Sequence, residues 1–213
     1  MARPDVQLIC FDLGRVLVRI CDGWQEACCS AGVPLPETER APQLLKQLSL
    51  LAQQYELGAV TCERFFREVA ALTGLGIDQA RAAWGAWTCS PYPNVEALLD
   101  RLRQAGYRLA CLSNTNANHW QIFHDRASHC FFPMQRFDYR FASHLVGAAK
   151  PEPAIYAHVE QQTGLGPGQI VFFDDLLPNV TAAQSRGWNA FQITPDVPPP
   201  DQITRRLVSL GVL

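Results

Sequence analysis

The sequence predicts an α/β protein: a doubly wound, Rossmann-like parallel sheet with a small helical cap inserted into it. Three observations carry this expectation. Short apolar runs at residues 6–11, 108–112, 170–173 and 190–193 read as strands, and they alternate with helical patterns. Such alternation implies a parallel sheet with right-handed crossovers. The segment between the first two strands, residues 24–87, reads as helical throughout and is expected to form a separate subdomain. The expected division is a core of residues 1–18 and 90–213 and a cap of residues 19–89, which a chain of 213 residues can accommodate.

The first run, residues 6–11, is apolar apart from Gln7, as suits a strand covered on both faces. In the cap, Leu44, Leu45, Leu48, Leu51, Ala52 and Tyr55 recur at helical spacing, and Gly58 ends the pattern. Thr61 is expected to cap a helix that turns Phe65, Phe66, Val69 and Leu72 inward and stops at Gly74. Asp78 is expected to cap another helix, carrying Trp84 and Trp87, and the cap aromatics are read as its core. Asn94 is expected to cap a helix with Val95, Leu98, Leu99 and Leu102 on one face, ending at Gly106. Residues 116–140 are polar and aromatic and give no periodic signal. A helix is expected from Pro153 to Gly164, a short one over 179–186, and a terminal one after the prolines at 198–200.

The formal net charge of -2 gives no basis for binding nucleic acid or an anionic membrane. No run approaches the roughly 20 apolar residues of a membrane span. The N-terminal apolar stretch is short and ends in an acid, unlike a signal-peptide core. The eight cysteines show no CxxC pair and no Cys/His ligand spacing, so they are expected to be reduced thiols in a cytoplasmic protein.

Four motifs carry the chemistry: FDLGRVLV around Asp12, LSNT beginning at Leu112, the Lys150–Pro151 pair, and FFDDLLPN from Phe172. Ligands of open parallel sheets bind off the carboxyl ends of the strands. Asp12, Ser113 and the pair Asp174 and Asp175 each follow an apolar strand, so on neighbouring strands they would converge. One such acid alone reads as a cap or turn residue; several at successive strand ends do not. Clustered carboxylates need a cation between them, and an oxygen-rich ligand set favours magnesium. Beside magnesium a carboxylate can attack phosphorus, Lys150 can pair with both acid and phosphate, and Ser113 with the N–H groups after it can hold phosphate oxygens.

On these motifs, in this order, with a helical block between the first two, the chain resembles the haloacid dehalogenase-like hydrolase superfamily over nearly its whole length. FDLGRVLV, LSNTN, HLVGAAKPEPAIY and VFFDDLLPNVTAAQSRG look most like the bacterial sugar-phosphate phosphatase branch, which includes glucose 1-phosphate phosphatases. The resemblance implies Asp12 as a nucleophile that forms an aspartyl-phosphate, with Lys150 as charge stabiliser. It implies phosphate binding by Ser113, Asn114 and Lys150. It implies magnesium held by Asp12, Asp174, Asp175 and the carbonyl of Gly14. The expected substrate is a small phosphorylated metabolite, and the expected assembly a monomer or homodimer.

Gly14 departs from the superfamily, most of whose phosphatases carry a general acid there. Its carbonyl can still ligate metal. Loss of a general acid lowers rate by roughly a hundred- to ten-thousand-fold. Glu56, in a cap turn that faces the active site in this superfamily, is the first candidate to replace it; the alternative is a solvated glutamate near a helix end. The rival functions are a non-catalytic binding protein, favoured by Gly14, and a dehalogenase, which needs no metal and leaves the second acid pair unexplained. Arg15 is read as touching substrate or cap, or as exposed. Asn116 and Asn118 are read as loop residues within reach of the site, Asn179 as fixing the loop after Asp175, and His119, His124, His129 and His144 as surface or loop histidines.

Overall fold

Leu8 and Cys10 face one side of the first strand, and Ile9 and Phe11 face the other; that two-sided burial organises the rest of the chain. The computed structural model describes residues 5–36 and 42–213, so residues 1–4 of the expected core and 37–41 of the expected cap lie outside it. Strand β1 (Leu8–Phe11) is wholly buried and pairs in parallel with β4 (Arg108–Ser113) on one side and β6 (Ile170–Asp174) on the other. With β5 (Tyr139–Ala142) and β7 (Asn189–Gln192), the sheet runs β5-β4-β1-β6-β7, parallel throughout. Ile9, Phe11, Leu109, Cys111, Val171 and Phe173 pack against α5 (Val95–Gln104), α6 (Ala117–His124) and α10 (Pro199–Ser209). The alternate residues pack against α8 (Pro153–Thr163) and α9 (Leu177–Ser185). Helices on both faces explain why these strands read as unbroken apolar runs.

The segment between β1 and β4 opens and closes with a short antiparallel pair, β2 (Val18–Ile20) and β3 (Thr88–Pro91). Between them lie α1 (Trp24–Ala31), α2 (Pro42–Glu56), α3 (Cys62–Thr73) and α4 (Ile77–Gly85). Leu48, Leu51, Tyr55, Phe65, Phe66 and Val69 belong to this cap's own core. Tyr55 stacks on Phe65 with ring centroids 4.2 Å apart.

Several expectations are refined. Thr61 caps α3, accepting from the Arg64 N–H at 3.3 Å, and Gly74 ends it in the left-handed region. Asp78 caps nothing: α4 begins at Ile77, and the Gln79 side chain instead accepts from the Gly76 N–H. Asn94 does stand before α5, but with φ of 68° and no side-chain bond to the helix. The short helix begins at Leu177, ahead of the expected 179. The unread stretch 116–140 holds α6 and the start of edge strand β5. Cys10, Cys21, Cys29, Cys62, Cys89, Cys111 and Cys130 are free thiols; Cys21 and Cys89 lie across strands β2 and β3 with sulfurs 3.7 Å apart.

The cap is closed against the core at several polar points. The Asn118 N–H donates to the Tyr55 hydroxyl at 3.1 Å. The His119 ring bonds the Trp84 carbonyl at 2.7 Å, and the His129 ring bonds that of Thr88 at 2.7 Å. Gly58, at φ 71°, follows α2 so closely against α7 (Ser143–Val146) that a β-carbon there would lie far inside contact distance of the His144 carbonyl oxygen. A side chain at 58 therefore carries both left-handed strain, about 1–2 kcal/mol, and a backbone clash. Gly58→Ala is expected to cost about 2 kcal/mol or more in urea unfolding; an unchanged midpoint would show that the α2 turn is not seated on the core.

Candidate active site

The strand order sets the site. Because β4, β1 and β6 are adjacent, their carboxyl ends bring Ser113, Asp12 and Asp174 side by side, with the Asp12 N–H bonded to the Phe173 carbonyl at 2.8 Å. This is where a doubly wound sheet reverses its winding and opens a crevice. Oxygens of Asp12, Asp174 and Asp175 all lie within 4.8 Å of one another.

Lys150 threads into this group. Its ammonium lies 3.0 Å from Asp12 Oδ1 and 2.7 Å from Asp174 Oδ2, with the lysine side chain 1% exposed. Its backbone is gripped by the Asn114 side chain, which accepts from the Lys150 N–H and donates to the Lys150 carbonyl, both at 2.8 Å. Both polar ends of the Asn114 side chain are thus committed to the lysine, and of this residue only the backbone N–H stays free for a phosphate. Asp174 is held further by the Leu176 N–H at 2.8 Å and the Asn179 amide at 2.9 Å, both on Oδ1. Asn179 therefore fixes the acid itself, and the Tyr156 hydroxyl braces it through its carbonyl at 2.9 Å.

The remaining atoms are open. Asp12 Oδ1 also accepts from the Leu13 N–H at 2.7 Å, whereas no protein group bonds Oδ2 among the described residues. The same is true of the Ser113 hydroxyl, the Asp175 carboxylate and the Gly14 carbonyl. The Thr115 N–H is not available to a ligand, since it donates to Ser143 Oγ at 2.9 Å.

Burial dominates the electrostatics. It pushes the Asp12 carboxyl up to about 7; Lys150 opposes the shift, and Asp174 and Asp175 add to it. Asp175 is raised by burial and by Asp174. Burial also disfavours the Lys150 ammonium, but Asp12 and Asp174 outweigh it and hold the lysine above its ordinary range. Three carboxylates facing one ammonium leave an excess of negative charge when all are ionised. That excess suits a divalent cation.

A cavity of about 360 Å³ opens from Gly14, Ser113 and Asn114 into the cap, where Glu56, Trp24, Trp84 and Trp87 line it. Glu56 is thus brought to the site, with its carboxyl raised by burial against the opposing pull of Lys150. Trp24 and Trp84 belong to the cap core as the sequence predicts, with Trp87 packed against it, and the edges they leave uncovered also line this cavity. His119 is not a surface residue: it stacks on Trp84 at 5.5 Å, and burial lowers it to about 4. Asn116 turns away to cap α6, accepting from the His119 N–H at 3.1 Å. Arg15 pairs with Asp22 at 2.8 Å and lines a larger cavity of about 840 Å³, which touches Asp175 but neither Asp12, Ser113 nor Lys150. Cys21, Glu26 and Cys89 form a second cluster of ligand-type atoms at the hinge, one that chain spacing did not reveal.

Comparison with known proteins agrees with this geometry. Phosphatase MT3486 of Mycobacterium tuberculosis is 26% identical over 166 residues, 78% of this chain and 68% of that protein. Sesquiterpene phosphatase astK of Aspergillus oryzae is 29% identical over 145 residues, 67% of this chain and 71% of that one. The HAD family enzyme bt-2542 of Bacteroides thetaiotaomicron superposes with a TM-score of 0.77 at 25% identity, over 93% of this chain and 98% of that chain. Its complex with magnesium and inorganic phosphate superposes with a TM-score of 0.74 at 23% identity, over 90% of this chain and 96% of that one. Residues 6–187 match the haloacid dehalogenase-like hydrolases, and the chain belongs to that family.

Proposed function

We propose that the protein is a magnesium-dependent phosphatase that hydrolyses small phosphate monoesters through an aspartyl-phosphate on Asp12. The observation that carries this is the free Asp12 Oδ2 at the centre of an acidic cluster, next to a buried ammonium and an unbonded serine hydroxyl. A relative named as a phosphatase and a fold relative solved with magnesium and phosphate support it. The all-oxygen donor set fits magnesium: opposite ligands of a magnesium ion stand about 4.2 Å apart, within the spread of the carboxylates here. Asp12, Asp174, Asp175 and the Gly14 carbonyl would hold the ion. When bound, it neutralises phosphate charge and so lets an anionic nucleophile approach phosphorus.

The chain's own residues then divide the work. Ser113, the Asn114 N–H and Lys150 hold the phosphoryl oxygens. Asp12 Oδ2 attacks phosphorus, and the phosphorus–oxygen bond to the alcohol breaks. Glu56 gives its proton to the departing alkoxide. Water next attacks the aspartyl-phosphate and gives its proton to the Glu56 carboxylate; the acyl-phosphate bond breaks, returning Asp12 and releasing inorganic phosphate. Residues 1–18 and 90–213 supply this chemistry, and residues 19–89 supply the leaving-group wall and Glu56. Among the described residues no helix is long and apolar enough to cross a membrane, and the free thiols of Cys10, Cys21, Cys29, Cys62, Cys89, Cys111 and Cys130 suit a reducing cytoplasm.

Asp12→Asn keeps the shape but removes the attacking charge. Turnover of acetyl phosphate should be abolished with the fold intact by circular dichroism; near-parent activity would overturn the mechanism. In the parent, EDTA should stop turnover and magnesium restore it.

Glu56 can protonate the departing alkoxide only while it is itself protonated, and burial extends that state upward in pH. The kcat for an alkyl ester should therefore fall as pH rises through the raised Glu56 pKa. Glu56→Gln should lower this kcat by about a hundredfold, erase that limb, and affect an aryl ester much less. An unaltered pH profile in the variant would assign the proton elsewhere. Gly14 itself has no left-handed φ, and a β-carbon there would meet Ile20 only at 3.4 Å, so Gly14→Asp is a sterically allowed way to supply a second acid.

A further inference from the structure

The cavity between cap and core changes character along its length. Its inner end is polar, at Gly14, Ser113 and Asn114. Its far wall is hydrocarbon and indole: Ile20 from the hinge, Leu45 and Leu48 from α2, and Trp24, Trp84 and Trp87. The three indoles form one cluster, tilted or edge-on to one another, with ring centroids 5.7–6.0 Å apart. Among the described residues lining it there is no lysine or arginine. The ionisable side chains on the wall are Glu56 and the buried His119, whose ring is bonded to the Trp84 carbonyl.

Each class of leaving group meets this wall differently. A carboxylate or second phosphate would be buried beside Glu56 with no cation to pair, which is strongly unfavourable. A sugar brings several hydroxyls, and each one left without a partner costs about 1–3 kcal/mol. The wall outside the phosphate end offers few partners, chiefly Ser49, Glu56, Thr88, Thr115 and the unpartnered Trp84 Nε1–H. An uncharged apolar group loses nothing and gains about 25 cal/mol for each Å² removed from water. Indole faces also favour stacking with a flat or unsaturated body. A volume of about 360 Å³ takes a small molecule, not a polymer end.

We propose that the substrate is the phosphate monoester of an uncharged, apolar alcohol, whose hydrocarbon body lies against Trp24, Trp84, Trp87 and Leu45 while its phosphate meets Asp12. This rests on the phosphatase reading and narrows it. It departs from the sugar phosphate that the motif resemblance implies.

The test is a kcat/KM series on the full-length protein with magnesium. Benzyl phosphate, glycerol 2-phosphate, glucose 6-phosphate and phosphoglycolate serve as probes, with acetyl phosphate as a reporter whose leaving group scarcely enters the cavity. Benzyl phosphate should exceed glycerol 2-phosphate and glucose 6-phosphate by about tenfold or more, and phosphoglycolate by more still. Trp87→Ala should bring the benzyl-to-glycerol ratio close to one. Leu45 is 36% exposed, so Leu45→Lys should fold, and it should raise phosphoglycolate relative to benzyl phosphate. Hydrolysis of acetyl phosphate with no benzyl preference, or with a sugar preference, overturns the apolar assignment and leaves the phosphatase intact. No hydrolysis of any probe, acetyl phosphate included, overturns both.

Discussion

One ammonium buried between two carboxylates organises this site. Lys150 lies within 3.0 Å of Asp12 and 2.7 Å of Asp174 and is almost fully shielded from water. Removing ions from water costs several kcal/mol each, and such a group persists only when geometry and further hydrogen bonds compensate. The compensation is visible in the chain. Asn114 grips the lysine backbone from both sides, and Asn179 and the Leu176 N–H hold the far oxygen of Asp174. Even so, one positive charge faces three acids. The cluster suits one divalent cation, and the atom it leaves unbonded, Asp12 Oδ2, is the proposed nucleophile.

The cap is positioned by the same economy of contacts. Tyr55, Trp84 and Thr88 meet core groups on or after α6, and Gly58 lets the end of α2 lie against His144. Those contacts hold Glu56 on the cavity that also reaches Ser113 and Asn114, where burial favours its protonated form. Ile20 approaches the space that a side chain at position 14 would enter. In this chain the proposed proton donor comes from the cap rather than from the nucleophile's own loop. On the proposed reading the leaving group lies between that donor and the indole cluster, and the cap both selects the alcohol and completes the proposed chemistry.

The sheet was legible in the sequence because its strands are buried on both faces, which leaves continuous apolar runs such as residues 8–11 and 170–173. Thr61 and Gly74 were legible for a local reason: capping and left-handed termination depend on the residues themselves. Asp78 misled because Gly76 and Gln79 provide an equivalent bond two residues earlier. The hinge strands, with sequences VRI and TCSP, are too short to carry a period. Asp12, Ser113 and the Asp174–Asp175 pair could be read as a set from their places after strands, and Lys150 from its motif, but their adjacency depended on a strand order that local sequence does not encode. The roles of Asn114 and His119 depend on partners dozens of residues away, Lys150 and Trp84.

The central claim is that Asp12 Oδ2 is the reacting atom and that the acids around it form one cation site. A crystal structure of the protein grown with magnesium and a trifluoroberyllate phosphoryl mimic tests this most directly. The account predicts beryllium bonded to Asp12 Oδ2, its fluorines facing Ser113, the Asn114 N–H and Lys150, and one magnesium held by Asp12, Asp174, Asp175 and the Gly14 carbonyl. A mimic bound elsewhere, or a cation seated away from these carboxylates, would contradict it.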